Sequence, residues 1–177
     1  MYAKLIVILI VVVVLLVMFR PSSTGYFSGE EHAIQTKKMK EGEFNVRYLD
    51  RIRCSGNIAQ YDTDTGVLTV HPGRYNFTAF SKVTAVDENV SMPGYCALVK
   101  YVNSEHITKE DVVFLGSVAD AQYGQLSHIQ TVLECETTQR YRLVHQCLIP
   151  KHSTAYIQLS GNGSTSHVFA NISLTPF

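Results

Sequence analysis

The chain has 177 residues, one domain's worth of sequence, of which 46% are apolar and 17% charged. Fifteen Lys+Arg balance 15 Asp+Glu, so there is no basic excess to neutralise a phosphate backbone, and nucleic acid is excluded as an expected partner. High apolar content without net charge also excludes disorder over most of the length; with no Trp, a core must draw on 10 Tyr, 8 Phe and the aliphatic residues.

Leu5 to Phe19 is an unbroken run of fifteen apolar residues between Lys4 and Arg20. As a helix it spans about 22 Å, against a hydrocarbon core of about 30 Å. Met1, Tyr2 and Ala3 extend it, and the stem of Lys4 can lie along the helix while its ammonium reaches the headgroups. Three readings compete. Length and the lack of interior charge favour an uncleaved single-pass anchor over residues 1–20. A cleavable signal peptide is the second, since Ser23-Thr24-Gly25 offers small residues at cleavage spacing. A buried core segment is the third, although a run with no polar alternation has no solvent face. The flanking charge, the α-amino group and Lys4 against Arg20, orients the later residues to the extracellular or lumenal side.

Residues 21–43, rich in Ser, Gly and charge and poor in apolar residues, read as a stalk or linker, with a short helix over Ile34 to Lys40 as the alternative. From Phe44 the texture changes to short segments of period-2 alternation. Strands are predicted at Phe44–Leu49, Asn57–Tyr61, Leu68–Val70, Tyr75–Ala79, Tyr95–Val102, Val112–Val118, Ile129–Cys135, Tyr141–Leu148, Ala155–Leu159 and Val168–Leu174. Thr65-Gly66, Pro93-Gly94 and Gly161-Asn162-Gly163 supply turns. Many short strands without an amphipathic helix between them predict an all-β, two-sheet jelly-roll sandwich over residues 44–177.

One stretch carries a family pattern. Tyr61-Asp62, Thr65-Gly66, a short strand through Leu68, the turn Pro72-Gly73, and then Tyr75-Asn76-Phe77 stand in an order that resembles the C1q/TNF-like jelly-roll family. Thr-Gly and Pro-Gly make the turns, and Tyr75 and Phe77 share the face of a strand that fills the inter-sheet core. The chain's last two predicted strands are similar to those that close the family's sheet beside the first strand. Departures are Leu68 where the family has an aromatic, Ala79 in place of another, and Lys151-His152-Ser153 where a Gly-Asp pair is usual. The resemblance implies a trimer about a threefold axis, packed through one apolar sheet face. Tyr101 and Tyr156 are candidates for that face, the alternative being that they fill the monomer core.

Four cysteines, Cys54, Cys96, Cys135 and Cys147, allow three pairings. A hairpin through Glu136–Arg140 would bring Cys135 beside Cys147 and leave Cys54 with Cys96; in a reducing compartment all four would instead be small thiols. Sequons stand at Asn76, Asn89, Asn162 and Asn171, with Asn89 and Asn162 in predicted loops and the other two on the polar side of strands. The seven histidines form no strand or helix pair suited to a metal, and no local Cys pair suggests zinc. Asp62-x-Asp64 resembles half a calcium loop, but Gly66 comes too early and no Glu follows at the required distance, so a hairpin turn is the simpler reading. No nucleophile elbow, zinc-protease helix or phosphate-cradling loop is present, so no catalytic residue and no cofactor is expected.

These readings converge on a non-catalytic, membrane-anchored binding or assembly protein acting as an oligomer. Its expected partners are bilayer lipid, through residues 1–20, further copies of itself and other proteins. One class is a ligand or adhesion module displayed outside a cell, with disulfides and occupied sequons. The other is a minor capsid protein of a membrane-containing virus, set between shell and internal membrane, with free thiols and empty sequons.

Overall fold

A computed structural model describes residues 24–32, 37–85, 89–103, 106–158 and 168–177. Residues 1–20, expected as the anchor, and Asn162 lie outside the described residues. Among those described, no helix is long and apolar enough to cross a membrane.

In chain order the strands are β1 (Tyr26–His32), β2 (Lys37–Lys38), β3 (Asn45–Val46), β4 (Arg51–Ser55), β5 (Ala59–Asp62), β6 (Val67–Val70), β7 (Gly73–Lys82) and β8 (Thr84–Ala85). They continue with β9 (Pro93–Lys100), β10 (Val112–Leu115), β11 (Ala119–Asp120), β12 (Leu126–Cys135), β13 (Gln139–Cys147), β14 (Ala155–Gln158) and β15 (Val168–Pro176). Single 3-10 turns stand at Lys109–Asp111 and Ala121–Tyr123. A five-stranded sheet runs β12-β7-β15-β1-β4; a seven-stranded sheet runs β10-β9-β13-β6-β5, with β11 on β9 and β3 on β13. A small third sheet runs β2-β14-β8. Neighbours in the two large sheets are mostly distant in sequence and all antiparallel, the crossed connectivity of a jelly roll.

Alternation in sequence becomes burial in space. Along β7, Tyr75, Phe77, Ala79 and Ser81 point inward while Arg74, Asn76 and Thr78 face solvent. Phe27, Leu68, Tyr75, Phe77, Leu98, Leu143, Ile172 and Leu174 are among the residues of the core between the two sheets. Burying each such side chain contributes about 1.5–3 kcal/mol. The Tyr75 hydroxyl is not left unpaired: it donates to the carbonyl of His71 at 3.0 Å, tying the Pro72-Gly73 turn to the core. Gly66, at φ 69°, closes the β5–β6 hairpin, where a Cβ would meet the Val46 side chain at 2.8 Å.

The structure departs from the sequence reading in the expected stalk. Tyr26–His32 is not linker but β1, hydrogen-bonded between β15 and the edge strand β4 of the five-stranded sheet. Its inward residues are Phe27, Gly29 and Glu31, so a single large apolar residue carries the strand's packing, and the period-2 signal is lost among Ser, Gly and Glu. Lys37–Lys38 is β2, in the small sheet. The predicted strand at 44–49 shrinks to Asn45–Val46, after which Arg47 turns inward. Of the two final predicted strands, β15 lies beside the first, whereas β14 leaves the sandwich for the small sheet.

Candidate interaction surfaces and the buried polar groups beneath them

The interior holds polar groups that composition did not reveal. Arg47 is fully buried, and its Nε lies 2.6 Å from Oε2 of Glu31, itself 1% exposed. Its Nη1 donates to the Ile157 carbonyl at 2.8 Å. One guanidinium thus joins β1 of the five-stranded sheet, the segment after β3 of the seven-stranded sheet, and β14 of the small sheet. Burial pulls the Arg47 pKa below its ordinary value, and the Glu31 carboxylate opposes that shift. Close by, the His145 ring is buried, with Nδ1 2.8 Å from the Ser81 hydroxyl. Burial first, and the positive Arg47 second, drive the His145 pKa down to about 3, so the imidazole is neutral at physiological pH. Cys96 faces Ser127, whose hydroxyl accepts from the Cys96 backbone amide at 2.8 Å and donates to the Ser117 carbonyl at 2.6 Å. These groups bond one another between packed sheets and hold the architecture. Nothing in the sequence marks them: Arg47 follows Phe44-Asn45-Val46 and reads as the solvent side of a strand.

The cysteines do not pair. Cys96, Cys135 and Cys147 are buried and free, and Cys54 is exposed and free on β4. The expected Cys135–Cys147 bridge fails for a topological reason. The segment Glu136–Thr138 is not a hairpin within one sheet; it carries the chain from β12 in the five-stranded sheet to β13 in the seven-stranded one. Cys135 sits opposite Gly73, and Cys147 opposite Gly94 at the far end of β13. Burial raises the Cys147 thiol pKa to about 11 and pushes Cys96 and Cys135 up as well.

The motif residues divide by depth. Leu68, Tyr75 and Phe77 are core. The Tyr61 hydroxyl accepts from the Leu49 amide at 2.9 Å, and burial holds its pKa above the ordinary phenol value. Asp62 Oδ1 accepts from the amides of Asp64 and Thr65, at 2.9 and 3.2 Å. Hydrogen bonding from Thr65 holds its carboxyl below the usual range, so this oxygen is committed to the turn. Among the described residues, no group of three or more His, Cys, Asp or Glu is close enough to hold a metal ion.

The outward face of the five-stranded sheet is polar. Register sets Arg53, Ser28, Ser173, Thr78 and Gln130 in one row across it, and Arg51, Glu30, Asn171, Phe80 and His128 in the next. It is therefore not the apolar face that the expected trimer required. Asn76 is exposed on this face, and Asn171 is half-buried there, donating its Nδ2 to the Gly29 carbonyl at 3.1 Å. Asn89 is exposed. Tyr101 lies under two guanidinium groups, Arg140 at 4.0 Å and Arg142 at 4.7 Å from its ring centre. Tyr156 is half-buried in β14.

Apolar exposure gathers elsewhere. On the outer side of the seven-stranded sheet a groove runs beside edge strand β10, lined by Phe44, Tyr95, Val112, Val113, Phe114 and Leu115, with Lys109 its one charged residue. At the end of the sandwich near Pro93, exposed apolar residues include Val118, Tyr123 and Leu148, at 73%, 70% and 65% exposure.

No protein-family model and no curated protein matches the sequence. Among solved structures, the crystal structure of murine APRIL at pH 8.0 aligns with 85% of this chain and 98% of its own, with a TM-score of 0.51 and 6% sequence identity. At that identity the likeness is one of architecture alone: the chain has a TNF-like jelly-roll fold.

Proposed function

We propose that the chain is a non-catalytic, membrane-anchored binding or assembly protein that works as an oligomer. The observation that carries this reading is where its polar and apolar groups lie. Arg47, Glu31 and His145 are bonded within the interior, while Leu115 is turned to solvent on edge strand β10 and Val118, Tyr123 and Leu148 at the end of the sandwich near Pro93. A surface of that kind gains free energy by being covered, at roughly 25 cal/mol per Å². The groove beside β10, rather than the polar face of the five-stranded sheet, is the contact this reading assigns to other copies or other proteins. A TNF-like fold supports protein binding as the task, and the fifteen-residue apolar run supports anchoring.

A second reading, a structural component of a membrane-containing virion, draws support from three buried thiols that are unpaired. Membranes from cells expressing the full chain test both. Resistance to alkaline extraction together with detergent-solubilised oligomers is the expected result. A monomer, or a chain released by alkali, would refute the proposal. Intact mass spectrometry of the same material separates the two readings: glycans on the sequons select the displayed ligand, and their absence selects the virion component.

A further inference from the structure

The proposed anchoring leaves very little chain between lipid and fold. The apolar run ends at Phe19 and β1 begins at Tyr26, so only six residues, Arg20 to Gly25, lie between them. Fully extended, six residues reach about 20 Å, of which a headgroup layer takes about 6 Å. The end of the sandwich at which β1 starts must then stand close to the membrane, and the structure defines that end.

Tyr26 pairs with Ser55, and a Cβ on Gly56 would overlap the Thr24 carbonyl, which fixes the incoming chain against the turn after β4. The finish of β15 and the start of β7 lie at this same end: Pro176 pairs with Tyr75, and the Phe177 amide donates to the Arg74 carbonyl at 2.9 Å. Phe177 is 69% exposed and Tyr26 45% exposed, and the Arg74 guanidinium lies 4.3 Å above the Phe177 ring. The Arg74 guanidinium is bridged to Glu134 at 2.8 Å. Exposed aromatics beside an arginine suit the interfacial zone of a bilayer.

We propose that the end of the sandwich carrying Tyr26, Gly56, Arg74 and Phe177 rests against lipid headgroups, so that the opposite end, with Leu148 and Tyr123, points away from the membrane. This rests on the anchoring proposed above, and adds to it an orientation and a lipid-contacting surface. The two ends are about 30 Å apart along the ten residues of β7.

The test uses the full chain in phosphatidylcholine vesicles containing headgroup spin-labelled lipid. A fluorophore on native Cys54, one register position from Ser55, reports the near end. A fluorophore on Leu148→Cys, in a Cys54→Ser background, reports the far end. Several-fold stronger quenching at position 54 than at 148 is expected. A flexible twenty-residue Gly/Ser insertion after Pro21 adds about 25 Å of reach and should erase the difference while the chain still floats with the vesicles. Equal or stronger quenching at 148 in a chain that floats overturns the orientation and leaves anchoring intact. A chain that does not float overturns anchoring, and the orientation with it.

Discussion

His145 makes stability depend on acid in a way that one substitution can isolate. The unfolded chain binds a proton on this side chain at a pKa near 6.5, whereas the folded protein resists it until about 3. Between those values the unfolded state holds more protons, so stability falls as pH falls, by up to about 1.4 kcal/mol per pH unit. The contribution is fully present above pH 6.5 and is lost progressively down to the folded value. Going from pH 7.5 to 4.5 should therefore remove about 2.7 kcal/mol through this one ring. That is a large share of the roughly 5–15 kcal/mol typical of a domain. The assay is urea unfolding of the wild type and His145→Gln at both pH values. Glutamine can keep a hydrogen bond to Ser81 but cannot titrate, so the variant starts less stable and loses much less on acidification. The other histidines act alike in both proteins and cancel. If His145→Gln loses as much stability as the wild type over this interval, the buried neutral imidazole is refuted.

Two further perturbations address the interior. Arg47→Met alone removes the cation that faces the buried Glu31 carboxylate and should cost about 3–5 kcal/mol by urea unfolding, while Glu31→Leu combined with Arg47→Met recovers most of that loss. A double variant no more stable than the single one would mean that guanidinium packing, rather than charge, is what matters. Maleimide labelling followed by intact mass should add one label to the native chain, at Cys54, and four after unfolding in guanidinium. More than one label on the native protein would contradict the burial of the other three thiols.

The sandwich was legible wherever apolar residues alternate. Tyr75, Phe77 and Ala79 announce β7, and Ile129, Leu133 and Cys135 announce β12, because each strand has one face on the core and one in water. β1 was hidden for the converse reason. Two of its inward positions are Gly29 and Glu31, and a buried glutamate is told from a solvated one by a partner such as Arg47, sixteen positions on and just after β3 of the other sheet. The polarity of the five-stranded sheet's outward face was visible residue by residue. That Ser28, Ser173, Thr78 and Gln130 form one row depends on register between strands far apart in sequence, which no local pattern encodes.

The Arg47 clasp has a consequence for limited proteolysis. A cut between Arg20 and Gly25 would free the globule whole, with its opening strand still in place. A cut just after Glu31 would carry away Phe27 and Glu31, strip the strand between β15 and β4 from the five-stranded sheet, and leave the Arg47 cation without its carboxylate in an apolar interior. Under the anchoring proposed above, a cut that releases the fold intact must fall before β1 begins at Tyr26, and a cut inside β1 destroys it.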